Sequence, residues 1–252
     1  MDKASMGVAG TLIPLLSIIV PSYNEAERLP VTIERIVAFS KNAEFPVEVI
    51  IVDNASRDAT KDIITDYASR YPFITYQHEA VQGKGAAVKT GILAAKGELL
   101  LISDADLAVP IEEVVKFIPY FQECDIVIGS REAEGAIRYD EPLHRHLMGR
   151  VFNFIVRSLL LPGIRDTQCG FKCFRHNAAR DLFSANTIDG WSFDAEILYI
   201  ARLRGYRIAE VPIKWYYGGK SKVNPARDSW NMLREVLTIW KNGRKGLYRT
   251  EP

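Results

Sequence analysis

Charge bias, cysteine pairs and membrane-length apolar runs are all missing from this chain. Its 32 Lys+Arg against 31 Asp+Glu leave a net charge of +1. That argues against a general polyanion or nucleic-acid binder, so any basic site must be local. The three cysteines, Cys124, Cys169 and Cys173, are an odd number. The spacing of the last two, with no His–Cys cluster beside them, does not fit zinc. Reduced thiols in a cytosolic compartment are expected. No apolar run reaches the roughly 20 residues that span a bilayer. Leu12 to Val20 is too short, contains Pro14 and precedes no small-residue cleavage site, so residues 1–14 read as a flexible lead rather than a signal peptide. G-x-G-x-x-G is absent from every strand-to-helix turn, which argues against a dinucleotide dehydrogenase. Repeats, low-complexity tracts and a clear linker are lacking too. What remains is 252 residues, 48% hydrophobic and 25% charged, an ordinary globular composition.

The first half alternates strand and helix patterns. Strands are expected at Leu15–Val20, Val47–Val52, Phe73–Gln77, Glu98–Ile102 and Asp125–Gly129. Helices are expected at Leu29–Ser40, from Ser56 through Tyr67 with Ser56 or Asp58 as cap, from Lys84 to Lys96, and from Pro110. This order predicts an α/β fold with a mostly parallel, doubly wound sheet and helices on both faces. After Ser130 the pattern changes. Glu132–Pro142 reads as a mobile loop, and His144–Leu161 as an unusually apolar helix. A short strand at Phe171–Phe174, a helix at Phe193–Arg204, a strand at Tyr206–Ile213, a Gly/Lys-rich loop at Tyr216–Asn224 and a last helix from Pro225 to Lys241 complete the expectation.

The chemistry concentrates at three expected strand ends. Asp104 and Asp106 follow the run Leu99–Ile102, where an open α/β sheet places its ligand. Two carboxylates there suit Mg²⁺ or Mn²⁺ shared with substrate phosphates, although Asp-x-Asp alone also marks a solvated turn or helix start. Pro21-Ser-Tyr-Asn-Glu25 and Asp53-Asn-Ala-Ser-Arg-Asp58 should share the same crevice, where carboxylates can accept from ribose hydroxyls and a base N–H. Ser56 and Asp58 would alternatively cap the next helix. Gln82-Gly83-Lys84-Gly85-Ala86-Ala87 suggests a phosphate cradle without Walker spacing, or simply a tight turn.

Ser17-Ile-Ile-Val-Pro-Ser-Tyr-Asn-Glu25, Ile51-Val-Asp-Asn-Ala-Ser-Arg-Asp-Ala-Thr60, Gly83-Lys-Gly85 and Asp104-Ala-Asp106 resemble glycosyltransferase family 2, with its GT-A fold. In the second half, Asp166-Thr-Gln-Cys-Gly-Phe-Lys172, Trp191-Ser-Phe-Asp-Ala-Glu196, Arg204-Gly-Tyr-Arg-Ile-Ala-Glu-Val-Pro-Ile-Lys-Trp215 and Ser221-Lys-Val223 resemble dolichyl-phosphate β-glucosyltransferases among the polyprenyl-phosphate hexose synthases. The resemblance runs from about Leu15 to Lys241. It implies one GT-A domain over 15–242, with a nucleotide-binding half of about 15–130, an acceptor-binding half of about 131–242, C-terminal amphipathic helices, and a basic tail at 243–252.

By position, the resemblance implies that Pro21, Tyr23, Glu25 and Asp53 hold the nucleoside. Lys84, Asp104 and Ala105 flank the nucleotide, Asp106 binds the metal, and Lys222 reaches the diphosphate. Arg131 faces the sugar or the acceptor phosphate. Asp166 and Gln168 lie near the reacting carbon, Asp166 as base or orienting group unless it merely pairs Arg165 or Lys172. Ala108 stands where mannose synthases often carry Gln, and Tyr216 where they carry Arg; both weaken a mannose reading. The implied reaction is inverting transfer of glucose from UDP-glucose to a polyprenyl or dolichyl phosphate. Alternatives are mannosyl transfer from GDP-mannose, a non-lipid saccharide acceptor, or a silent scaffold. The helix at 144–161, with Arg150, Phe152, Ile155 and Leu159, would contact lipid at a membrane surface, or else belong to the core. The last helix and its basic residues would touch anionic headgroups or form a homodimer face. The expected location is the cytoplasmic face of a membrane, peripherally, without a spanning helix.

Overall fold

The computed structural model describes residues 14–218 and 225–249. Residues 1–13 and Lys222 lie outside the described residues. In chain order the first half comprises β1 (Leu16–Ser22), α1 (Leu29–Asn42), β2 (Val47–Asp53), α2 (Thr60–Arg70), β3 (Ile74–His78), α3 (Lys84–Ala94), β4 (Leu99–Ile102) and β5 (Ile126–Ser130). Then come β6 (Ile137–Tyr139), α4 (Leu143–Leu159), β7 (Lys172–Arg175), α5 (His176–Ala185), α6 (Phe193–Leu203), β8 (Ile208–Pro212), β9 (Lys214–Tyr216) and α7 (Pro225–Arg244).

Seven strands form one sheet in the order β3-β2-β1-β4-β7-β5-β8. β7 alone runs antiparallel, between β4 and β5. β4 is buried along its whole length and β1 and β2 along most of theirs, as expected of parallel strands covered on both faces. One core layer packs α1 and α2 against the sheet; the other packs α3, α5, α6 and α7. Gly91 lets α3 lie close on the sheet, since a Cβ there would come within 2.4 Å of Ile19 Cγ2. Pro21 sits beyond the last β1–β4 pair, Ile19 opposite Ile102, so its missing N–H costs no bond there. β2 and β3 lie to one side of β1 and β4 to the other. The strand order therefore reverses between β1 and β4, and a crevice opens at their C-terminal ends.

Several expected elements differ. α2 starts at Thr60 rather than Ser56, because residues 56–58 are used elsewhere. The helix expected from Pro110 is two 3-10 turns, Ile111–Lys116 and Ile118–Gln122. Pro119 lacks the N–H and blocks the carbonyl that an α-helix would need at their junction. Residues 132–142 are not a loose loop. They contain β6, paired in parallel with β9, and Tyr139 stacks on Tyr216 at 4.4 Å. α5 was not expected at all. The 243–252 tail is folded as far as described: Tyr248 is fully buried. Among the described residues no helix is long and apolar enough to cross a membrane.

Candidate active site

The crevice is a cavity of about 770 Å³. Four strand ends and the first turn of α3 supply its walls. Pro21, Tyr23, Glu25, Lys84, Asp104, Ala105, Asp106, Arg131, Asp166 and Gln168 all line it, as do Arg150 and Phe152. Asp53 does not. It lies buried at the end of β2, accepting Ser56 N–H at 3.1 Å with His78 Nδ1 at 3.4 Å. Its neighbour Asn54 reaches the cavity instead and joins three backbone points, donating to Glu79 O (3.1 Å) and Val81 O (2.6 Å) and accepting Gly83 N–H (2.8 Å).

Ser56 and Asp58 neither open a helix at residue 56 nor face the cavity. They brace the turn after β1: Ser56 Oγ accepts Asn24 N–H at 2.9 Å, and Asp58 Oδ2 accepts Ala26 N–H at 3.1 Å. The turn answers with Asn24 Oδ1 accepting Arg57 N–H at 2.8 Å. Glu25 is held by Arg28 through two bonds of 2.8 Å. Arg28 itself lines the cavity. The sequence reading missed it, and its place three residues after Glu25, at the cap just before α1, was the available signal.

Asp104 and Lys84 meet at 2.5 Å. Burial alone would lower the Lys84 pKa, but the Asp104 and Asp194 carboxylates more than offset it and keep the ammonium charged. Asp106 opens onto the cavity, with Oδ1 accepting Ala108 N–H at 3.0 Å. Desolvation by the surrounding walls raises its pKa, and the charge of Asp104 raises it further. Asp104 is half-buried and Asp106 exposed, and the like charges of these two carboxylates act on one another, a charge arrangement that a divalent cation relieves. Among the described residues no group of three or more His, Cys, Asp or Glu could hold a metal. Any ion here keeps most of its coordination positions for ligand oxygens, as Mg²⁺ does beside phosphates. Gly170 completes the niche, because a Cβ there would fall 2.3 Å from Asp104 Oδ2. The residues fit such an ion.

On the far wall Arg131 and Asp166 form a buried two-pronged pair. Arg131 Nε donates to Asp166 Oδ2 at 2.7 Å and Nη2 to Oδ1 at 2.9 Å, and Arg131 N–H adds a third bond at 2.9 Å. Asp166 therefore pairs Arg131, not Arg165 or Lys172. Burial would push its carboxyl up, but the guanidinium holds it down at about 2. A carboxylate so occupied is poorly suited to accept a proton and well suited to aim Arg131. Its loop is pinned on two sides: Glu210 accepts Arg165 and Asp166 N–H at 2.8 and 2.9 Å, and Asn153 of α4 accepts Thr167 N–H and Oγ1–H. Lys172 pairs Asp194 instead, at 2.6 Å. Burial pushes the Cys169 thiol up to about 11, so it stays protonated.

Three buried polar atoms of cavity-lining residues have no protein partner: Ser22 Oγ, Ser103 Oγ and Gln168 Nε2. Leaving such a group unpaired costs about 1–3 kcal/mol, a cost that a bound polar ligand removes.

α4 stands between cavity and solvent. Arg150 and Phe152 line the cavity, while Leu143 (86% exposed), Leu147 (65%), Val151 and Phe154 (68%) form a stripe at helical spacing on the outside. Ile155 is half-buried and Leu159 is exposed near the helix end. Val156, with Leu160 and Leu161 just after the helix, joins the core, and the partly buried Phe152 packs against it.

The profile described as glycosyl transferase family 2 matches residues 17–183. A dolichyl-phosphate beta-glucosyltransferase of Trichomonas vaginalis is 39% identical over 81% of this chain and 65% of its own length, so the chain spans just under two thirds of that relative. The dolichyl-phosphate beta-glucosyltransferase of Homo sapiens is 35% identical, over 94% of this chain and 78% of its own. Glucosyl-3-phosphoglycerate synthase of Mycobacterium tuberculosis, crystallised with Mn²⁺, uridine-diphosphate-glucose and glycerol 3-phosphate, has a TM-score of 0.64 at 18% identity, covering 92% of this chain and 80% of that one. That likeness is one of fold. The profile's span contains the β1, β2 and β4 strand ends, the α3 turn and the Arg131–Asp166 pair, so sequence match and cavity coincide: this chain belongs to glycosyl transferase family 2.

Proposed function

We propose that this protein transfers glucose from UDP-glucose to a polyprenyl phosphate of dolichyl type, with inversion at the anomeric carbon. The observation that carries the lipid acceptor is α4, which walls the cavity with one side and turns an apolar stripe outward with the other. The dolichyl-phosphate relatives support the same acceptor class, and their name supports glucose as the sugar. The UDP-glucose complex of the mycobacterial synthase supports the donor. A basic and apolar helix of this kind suits the bilayer interface, which fits a peripheral position at the cytoplasmic face of a membrane. Trp230 and Leu237, exposed on α7, add either a lipid contact or a dimer face.

In this reading the nucleoside rests on Pro21, Tyr23 and Glu25, and the diphosphate lies toward Lys84, Asp104 and Ala105. Asp106 would hold Mg²⁺ or Mn²⁺, which when bound neutralises charge on the departing diphosphate. Lys84 adds positive charge at the same oxygens, and the family resemblance assigns the same role to Lys222. Arg131, aimed by Asp166, and Arg150 meet the acceptor phosphate. Gln168 Nε2 donates to the transferred sugar. The bond from the anomeric carbon to the diphosphate oxygen breaks and one to the acceptor phosphate oxygen forms; UDP leaves with the electron pair and no proton need move. A phosphate monoester has its second pKa near ~6 and is already largely dianionic at pH 7, so the acceptor needs no strong base.

The test is transfer of labelled sugar into organic-extractable lipid, with polyprenyl phosphate, Mg²⁺ and a panel of UDP- and GDP-sugars. Label entering lipid from UDP-glucose alone is the expected result. Label from GDP-mannose would replace the donor, and UDP release without lipid label would replace the acceptor by a soluble saccharide.

A further inference from the structure

Glu196 is fully buried on α6 and does not line the cavity. Yet six hydrogen bonds end on its two carboxylate oxygens. Its oxygens accept Thr187 N–H (3.1 and 3.2 Å), Thr187 Oγ1–H (2.6 Å), Ile188 N–H (2.8 Å), an Asn186 Nδ2–H and Tyr248 OH (2.6 Å). Four of these six bonds come from backbone or side chain of residues 187 and 188, so the carboxylate fixes the path of the segment just before α6.

That segment lies directly on the first turn of α3. A Cβ on Gly83 would fall 2.1 Å from Asp189 O, and one on Gly85 would fall 2.5 Å from Ile188 O. Asp189 O accepts Ala86 N–H at 3.3 Å. Trp191 closes the contact, with its ring 5.8 Å from Lys84 Nζ. The two glycines leave no side chain between turn and segment, so any shift of residues 187–189 is passed to the turn that carries Lys84. Tyr248 reaches Glu196 from 52 residues further on. Its ring packs edge-on against Tyr199, its backbone carbonyl accepts from Arg204 Nε at 2.8 Å, and burial beside Glu196 keeps its phenol protonated as a donor.

We propose that Tyr248, Glu196 and Thr187 form a positioning device for the diphosphate end of the cavity. They hold residues 187–191 as the back wall of the α3 turn and keep Lys84 in register with Asp104. The last described turn of the chain is thereby coupled to nucleotide binding. The inference rests on Lys84 and Asp104 being nucleotide contacts.

The experiment is calorimetric titration of the full chain with UDP and with GDP, each with Mg²⁺. Tyr248→Phe and Thr187→Val each remove one bond to Glu196 Oε1 from a different element. Tyr206→Phe is the matched control, losing a bond of 2.9 Å to Asp181 away from the cavity. Both test variants should weaken the tighter-binding nucleotide about three- to tenfold, the scale of one ordinary hydrogen bond. The control should stay within about twofold even where its Tm falls as much. Equal affinity in wild type and both test variants would overturn the positioning role while leaving the nucleotide site standing, as would equal weakening in the control. No binding of either nucleotide by the wild type would overturn the reading of Lys84 and Asp104, and this proposal with it. Should Tyr248→Phe not fold, Thr187→Val decides.

Discussion

Replacing Asp166 with Asn separates the two roles a carboxylate beside a reacting carbon can have. In the structure Asp166 is 1% exposed, and three of its bonds come from Arg131. An asparagine keeps the shape but leaves the Arg131 charge buried without its partner. Removing one member of a buried pair costs about 3–5 kcal/mol, which for a chain of this size is roughly 6–20 °C in Tm. The carboxyl titrates at about 2 in the fold rather than at its ordinary 3.8. Its contribution to stability is therefore complete above about pH 4 and disappears as pH falls through about 2. The gap in stability between wild type and Asp166→Asn should be constant from pH 5 to 8 and close only in strong acid. Catalysis tells more. A base with a pKa of about 2 is ionised throughout the working range and can give no acid limb near neutrality. A fall in kcat/KM on the acid side is then expected from the acceptor phosphate, near pH ~6, whereas a limb set by the raised Asp106 carboxyl would not move with the acceptor. A phosphonate acceptor of higher second pKa should move that limb upward in the wild type, and residual activity in Asp166→Asn should keep it. The reasoning fails if the limb ignores the acceptor, or if it vanishes in the variant.

Asp106→Asn should abolish transfer and weaken Mn²⁺ binding, followed by electron paramagnetic resonance, while Tm holds or rises, because the raised pKa marks an ionised carboxylate that the fold disfavours. Gln168→Met removes a buried donor that has no protein partner. Tm should hold or rise, by up to about 1 kcal/mol of stability, as kcat/KM for sugar transfer falls tenfold or more. Phe154→Glu changes a side chain that is 68% exposed. Cosedimentation with anionic vesicles should drop severalfold, with thermal unfolding and UDP binding unaltered; unchanged cosedimentation would remove α4 from the membrane surface.

The strand-end clusters that line the cavity were legible because each signal there is local. β1, β2 and β4 are apolar runs that end in polar clusters, and a parallel sheet brings such ends together whatever the details of packing. What failed were features decided by distant partners. Ser56 and Asp58 have the chemistry of helix caps, yet Ser56 Oγ and Asp58 Oδ2 serve backbone N–H groups 32 residues away, leaving only Asp58 Oδ1 at the helix start, where it accepts Thr60 N–H at 3.0 Å, and α2 starts later as a result. Nothing along the chain says that β7 inserts antiparallel between β4 and β5. α5 follows β7 without a connecting residue, and half of its buried face is alanine, Ala178 and Ala179 beside Leu182 and Phe183, which carries little apolar contrast. The basic composition of the last ten residues reads as a solvated tail, and only Tyr248 contradicts it.

The same limit explains why Asp166 and Glu196 could not be told apart in advance. Both are acidic residues in polar motifs of the second half, and both are buried to 1% exposure or less. Asp166 finds a guanidinium 35 residues back, at the cavity wall, and becomes one half of a charged pair open to a ligand. Glu196 finds hydroxyl, amide and backbone donors and no place on that wall, and becomes the anchor of a segment. A buried carboxylate must be satisfied by one route or the other. Which route it takes is fixed by what the fold carries past it, so a carboxylate's role in this site can be assigned only from the donors around it. By that criterion Asp166 aims Arg131 and Glu196 holds residues 187–191, and the two should separate in experiment: losing the first changes how the acceptor reacts, losing the second changes how tightly the nucleotide binds.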